Sequence, residues 1–168
     1  MLSCKVIIVG DGGVGKTSIC FRATQNTFTI DYRMTIGTGF FTYKTEVKGK
    51  IAALQIWDFG GQERFRTFLD RFAKGASGTI LAFDLSDVES FLNLEKGWIT
   101  FLKESAPTTP TMLIGTKNDL EHSVTKEMID DFKAKCDMNI IGYWETSAKE
   151  GTNIHEFLND LAKKIFNL

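Results

Sequence analysis

Residues 10–17 read Gly-Asp-Gly-Gly-Val-Gly-Lys-Thr and satisfy G-x-x-x-x-G-K-[ST] at every fixed position. This constrains the fold strongly, because the motif needs a strand ending just before it and a helix starting inside it. Both are predicted. Lys5-Val6-Ile7-Ile8-Val9 is strand-like, and Ile19, Cys20 and Ala23 follow at helical spacing. Glycines let successive backbone N–H groups turn inward into an anion-binding nest. The positive end of the helix dipole adds to that field. Lys16 is placed to reach β- and γ-phosphates, and the Thr17 hydroxyl to ligate Mg²⁺. A plain glycine-rich turn with a solvated lysine would leave the complete pattern unexplained.

A chain of 168 residues that is 43% hydrophobic fits one domain, 1–168, with a core of its own. Its net charge of −1 gives no electrostatic reason to expect a nucleic-acid partner. Cys4, Cys20 and Cys136 form an odd set without CxxC, so neither a disulfide framework nor a zinc site is predicted, and reduced cysteines in a cytoplasmic protein are. No apolar run has transmembrane length. Residue 2 is Leu, and Phe166-Asn167-Leu168 carries no prenylation cysteine, so membrane association is not supported by these residues.

Strand-like and helix-like segments alternate, which predicts a mostly parallel sheet with helices on both faces. Phe40 to Val47 alternates, turns at Lys48-Gly49 and returns as Ile51 to Trp57, a hairpin that makes one edge strand antiparallel. Helices are expected from Phe65 to Lys74, along Phe91, Leu94, Trp98 and Leu102 (with Gly97 a weak point), around Met128 to Cys136, and from Ile154 to Ile165 with Asn153 as cap and Glu156 completing a capping box. Buried strands are expected at 79–83, 111–114 and 140–144. The sum is a doubly wound α/β domain of six strands and about five helices. Ligands of such sheets sit beyond the carboxyl ends of the strands.

The informative residues follow those ends. Asp58, at the end of the third strand, is placed for a second hold on Mg²⁺. Gly61 can bring a backbone N–H to a γ-phosphate, and Gln62 can orient a water with a donor and an acceptor that need not ionise. Taken alone, Asp58 to Gly61 would be an ordinary turn; behind a complete phosphate loop it gains weight. After the fifth strand, Asp119 can accept from adjacent N–H donors such as N1 and the exocyclic N2 of guanine, a pair adenine lacks. The Lys117 stem can lie along a ring face. Ser147, Ala148 and Lys149 follow the sixth strand, where backbone N–H groups can meet guanine O6. Between the first helix and second strand, Thr35 is a candidate second Mg²⁺ hydroxyl and Phe28 an aromatic edge for the base; core packing or solvation is the rival for each. His122 and His155 read as solvated. The pair Phe40-Phe41 reads as sheet-edge packing, with a partner-facing role as the alternative.

In this order the segments resemble the Ras superfamily of small GTPases over essentially the whole chain. Trp57 to Thr67 (WDFGGQERFRT) and Asp84 to Phe91 (DLSDVESF) look most like the Rab branch. The resemblance implies a P-loop NTPase G domain that binds GTP and GDP with Mg²⁺, hydrolyses GTP slowly, and signals through two switch loops, about 31–40 and 61–72. Gly12, Gly13, Val14, Gly15, Lys16, Thr17 and Ser18 would hold phosphates. Thr17, Thr35 and Asp58 would hold the metal. Gln62, Lys16 and Gly61 would serve hydrolysis, and Phe28, Thr116, Lys117, Asp119, Ser147, Ala148 and Lys149 the base. Effectors, an exchange factor and a GTPase-activating protein would dock on the switch loops. Several positions depart from the common pattern. Thr116 replaces Asn, which implies one lost side-chain amide tie, though some relatives also carry Thr there. Met34 replaces Pro, Phe59-Gly60 replaces Thr-Ala, and Thr38-Gly39-Phe40 replaces Val-Asp-Phe. A non-hydrolysing binding module and an ATP-using P-loop enzyme are the rival readings; Gln62 and Thr35 disfavour the first, Asp119 the second.

Overall fold

The computed structural model describes residues 1–30, 38–60 and 66–167. Six strands form one sheet in the order β2-β3-β1-β4-β5-β6. They are β1 (Leu2–Val9), β2 (Thr38–Val47), β3 (Lys50–Phe59), β4 (Gly78–Asp84), β5 (Thr111–Thr116) and β6 (Ile140–Glu145). All pairings are parallel except β2 with β3, which run antiparallel from Thr38↔Phe59 to Val47↔Lys50. The hairpin turn at Lys48 and Gly49 has positive φ at both residues (47° and 74°), the sense that matches strand twist.

Alternation along β1 divides the core. Val6 and Ile8 face one layer with α1 (Lys16–Gln25) and α6 (Ile154–Ile165). Ile7 and Val9 face the other, with α2 (Arg66–Ala73), α3 (Val88–Asn93), α4 (Ile99–Ser105) and α5 (Lys126–Lys135). β4 is buried along its whole length, as a central parallel strand covered on both faces must be. Among the described residues no helix is long and apolar enough to cross a membrane.

Helices α3 and α4 belong to one rod, joined by a π-helical turn at Leu94–Trp98 that holds the weak point Gly97. Asn93, Leu94, Trp98 and Ile99 all keep right-handed helical angles. The wider turn keeps Phe91, Leu94, Trp98 and Leu102 buried together. Counted so, five helical rods flank the sheet among the described residues.

One local expectation is corrected. Asn153 does not cap α6 with its side chain: it sits at φ 58°, and its amide donates to the Glu145 carbonyl at 2.8 Å instead. His155 is exposed but engaged, its ring stacked on Tyr43 and its Nδ1 3.1 Å from the Tyr43 hydroxyl. The aromatic pair divides: Phe41 packs edge-on against Phe21, whereas Phe40 is 63% exposed and lies against Trp57.

Candidate functional site

The loop from Gly10 to Gly15 leaves β1 and closes over the start of α1. Gly13 and Gly15 lie at φ 80° and 98°, conformations that glycine adopts without a steric penalty. Side chains from elsewhere tie its carbonyls outward. Thr116 Oγ1 donates to the Val14 carbonyl at 2.6 Å and lies 3.0 Å from the Phe83 carbonyl, and Lys117 Nζ donates to the Gly13 carbonyl at 2.9 Å. The Thr116 hydroxyl thus links the phosphate loop to the end of β4. Asp11 is clamped from the rod: Trp98 Nε1 donates to one carboxylate oxygen at 2.8 Å and Asn93 Nδ2 to the other at 2.5 Å.

Lys16 is 5% exposed, and its ammonium donates to the Gly10 and Asp11 carbonyls at 2.8 and 2.9 Å. Burial lowers its pKa to about 8, against the opposing pull of the Asp58 and Asp11 carboxylates. Thr17 donates its hydroxyl to Asp58 Oδ2 at 2.5 Å. Asp58 Oδ1 is buried and takes no hydrogen bond. Burial raises the Asp58 pKa, with the Thr17 hydroxyl and the Lys16 charge acting the other way. A buried carboxylate oxygen without a partner, next to a hydroxyl, is a pair of hard oxygens that fits Mg²⁺. Among the described residues no group of three or more His, Cys, Asp or Glu gathers. Mg²⁺ held by one or two protein oxygens together with phosphates requires no such group.

At the far end, Ser147 Oγ donates to Asp119 Oδ1 at 2.7 Å and so fixes the carboxylate. The Asn118 N–H donates to the Thr146 carbonyl at 2.9 Å, joining the loops after β5 and β6. Lys117, itself at φ 57°, pairs with Asp84 Oδ2 at 2.7 Å. Asp84 is held in turn by the Ser86 N–H and hydroxyl at 2.8 and 2.6 Å.

Between these ends lies a cavity of about 370 Å³. Among the residues singled out from sequence, Gly12, Gly13, Val14, Gly15, Lys16, Thr17, Ser18, Phe28, Thr116, Lys117, Asp119, Ala148 and Lys149 line it. Ser147 stands behind Asp119, and Asp58 behind Thr17. Thr35, Gly61 and Gln62 lie outside the described residues, as do 31–37 and 61–65 of the two expected switch loops. Ile19, Thr29, Ile30 and Leu120, which no sequence motif singles out, also line the cavity. Leu120 was detectable as an exposed apolar residue in a polar loop. Likewise, no motif marks the way Asp84, Asn93, Trp98 and Arg22 support the loops from behind.

Comparison with known proteins agrees with this geometry. Residues 5–167 match the family model described as Ras family. Ras-related protein Rab-13 of Mesocricetus auratus is 38% identical over 164 residues, covering 96% of this chain and 79% of that protein. Ras-related protein RIC2 of Oryza sativa subsp. japonica is 36% identical over 165 residues, 98% of this chain and 75% of that protein. Ras-related protein RABA1b of Arabidopsis thaliana is 34% identical over 165 residues, with 98% and 76% coverage. Members of this family act with regulator and effector proteins. The chain belongs to the Ras family of small GTPases and is Rab-like: a GTP-binding switch that uses Mg²⁺ and hydrolyses GTP.

Proposed function

We propose that residues 1–168 act as one G domain in which the cavity described above holds the guanine nucleotide end to end. The observation that carries this reading is the convergence of residues 12–18, Phe28, 116–120 and 148–149 on one cavity with a buried ammonium at one end and a fixed carboxylate at the other. The loop amides, Lys16 and Ser18 hold the phosphates. Thr17 and Asp58, joined by Thr35, hold Mg²⁺, which when bound neutralises charge on the β- and γ-phosphate oxygens. Asp119 reads N1 and N2 of guanine, the Ala148 and Lys149 amides face O6, and Phe28, Thr116, Lys117 and Ser147 complete the base site.

In hydrolysis Gln62 orients a water whose oxygen bonds to the γ-phosphorus as the bond from that phosphorus to the β–γ bridging oxygen breaks, releasing GDP and phosphate. Lys16 and the Gly61 amide stabilise the charge that this step spreads over the phosphate oxygens. The turnover is slow without a partner, and a GTPase-activating protein that supplies an arginine raises it by a factor on the order of 10³–10⁵.

Effectors, an exchange factor and the activating protein dock on residues 31–40 and 61–72. Exposed Phe40, Phe68 and Phe72, with Trp57 between Phe40 and Phe72, support that surface. The free Cys4, Cys20 and Cys136 fit a reducing, cytoplasmic setting. Two measurements test the reading. GTP and GDP displace a bound fluorescent guanine nucleotide and ATP does not; equal displacement by ATP overturns it. Gln62→Leu lowers phosphate release by about tenfold or more while GTP binding persists, and unchanged release removes Gln62 from the mechanism.

A further inference from the structure

The loop after β6, read above as base-facing, is held by a residue that does not itself line the cavity. Arg22, half-buried on α1, donates from Nε to the Ala148 carbonyl at 2.6 Å and from Nη2 to the Lys149 carbonyl at 2.8 Å. Its remaining nitrogen reaches the Asn26 carbonyl and side-chain oxygen at 3.3 and 3.1 Å, where Asn26 closes the helix in a left-handed turn. The guanidinium therefore makes two bonds to carbonyls of this loop, 126 and 127 residues away in sequence, and two to the oxygens of Asn26.

A trans peptide places each carbonyl opposite the N–H of the next residue. Pinning the Ala148 carbonyl to Arg22 therefore turns the Lys149 N–H to the other side. The Ser147 carbonyl is pinned in the same way by the Thr152 N–H at 2.9 Å, which turns the Ala148 N–H. Among the described residues no protein acceptor takes either N–H, and both residues line the cavity. Without the clamp, a turned peptide would present a carbonyl to a ligand carbonyl, an acceptor facing an acceptor. The same helix carries Lys16 and Thr17 at its start. Arg22 sits about 9 Å further along at 1.5 Å per residue, so α1 spaces the phosphate end from the base end.

We infer that Arg22 is a positioning residue that sets how the loop 147–150 reads the 6-carbonyl of the guanine base, resting on the assignment of that loop under the proposed function. The test measures affinity for GDP, for 6-thio-GDP (a weaker acceptor at position 6) and for IDP, which lacks only the 2-amino group. Wild type prefers GDP over both analogues. Arg22→Ala, and Arg22→Lys, which keeps the charge without the fork, lower the GDP to 6-thio-GDP ratio by about fivefold, the worth of one net hydrogen bond. Both leave the GDP to IDP ratio within about twofold, because Asp119 is untouched. If all three affinities fall in parallel, Arg22 only stabilises the fold and the inference is overturned. If Arg22→Ala does not fold, Arg22→Lys and Arg22→Gln carry the same comparison. A wild-type protein that fails to distinguish GDP from either analogue overturns the base-site assignment itself, an outcome separate from the fate of Arg22.

Discussion

Gly10 begins the phosphate loop, and space, more than loop flexibility, requires a glycine there. A Cβ at Gly10 would lie 2.2 Å from the Ala82 carbonyl oxygen and 3.1 Å from its carbon, on a backbone at φ 150°. Non-bonded carbon and oxygen do not approach closer than about 3 Å, so the end of β1 must move from β4 by nearly 1 Å. That junction has no slack. Val9 pairs with Leu81 one step away, and Val9, Leu81 and Ala82 are all fully buried. Opening it weakens one or two ladder hydrogen bonds at about 1 kcal/mol each. The disturbed packing and the unfavourable φ add about 1–2 kcal/mol each. Gly10→Ala is thus expected to cost about 4 kcal/mol, a large part of the 5–15 kcal/mol typical of a domain.

Gly49 supplies the control. It also has positive φ, 74°, but a Cβ there meets nothing within 4 Å, so Gly49→Ala should cost only the backbone term, about 1 kcal/mol. Urea unfolding followed by tryptophan fluorescence measures both, at fixed excess GDP and Mg²⁺ and again at ten times that nucleotide concentration, so that any change in binding is separated from a change in folding. A Gly10→Ala cost no larger than that of Gly49→Ala would refute the steric argument.

Other consequences are open to measurement. Thr116→Val keeps the shape of a buried side chain and removes the donor to Val14. It should cost about 1–2 kcal/mol and speed release of a fluorescent GDP roughly tenfold, with Thr116→Ser restoring the slow rate. Trp98→Phe leaves one Asp11 oxygen without its indole donor and should lower unfolding free energy by about 1–3 kcal/mol; an unchanged urea midpoint would show that the clamp contributes nothing. Burial pushes the Cys4 thiol up to about 11 and Cys20 higher than its ordinary value, so at pH 8 both remain protonated as well as covered. Iodoacetamide should therefore modify half-buried Cys136 first in the native protein and all three in denaturant, counted by mass spectrometry.

What sequence reveals here follows the range of each interaction. The phosphate loop, the hairpin at Lys48-Gly49 and the buried β4 are dictated by neighbours in the chain, and the structure has them where the residues imply. Asp119, singled out as a carboxylate just after a strand end, does line the cavity. The Thr116 hydroxyl reaches Val14 across 102 residues, a contact that no local pattern records. Arg22 was invisible for a related reason: its acceptors are backbone carbonyls, and a carbonyl has no residue identity to find. Asn153 followed the capping rule in sequence, but the pull of the Glu145 carbonyl on its amide won. Gly97 weakens the middle of a helix by propensity, and the widened turn that holds it brings Asn93 and Trp98 together onto Asp11.

One construction rule serves both ends of the cavity. At the phosphate end, side chains from β5 and the loop after it hold the Gly13 and Val14 carbonyls outward, and the trans peptide leaves the Gly15 amide on the opposite side. At the base end, Arg22 and Thr152 hold the carbonyls after β6, leaving the Ala148 and Lys149 amides. Amides are the useful groups, since each offers a donor to an anion or a ring carbonyl without adding a side chain. Left alone, a glycine-rich loop would sample both peptide orientations, and the ligand would have to supply the ordering free energy on binding. Fixing the carbonyls from behind moves that cost into the folding of the domain. Substitutions at Thr116, Lys117 or Arg22 should therefore weaken nucleotide binding although Arg22 does not itself line the cavity, and nucleotide affinities equal to wild type in all three variants would refute the rule.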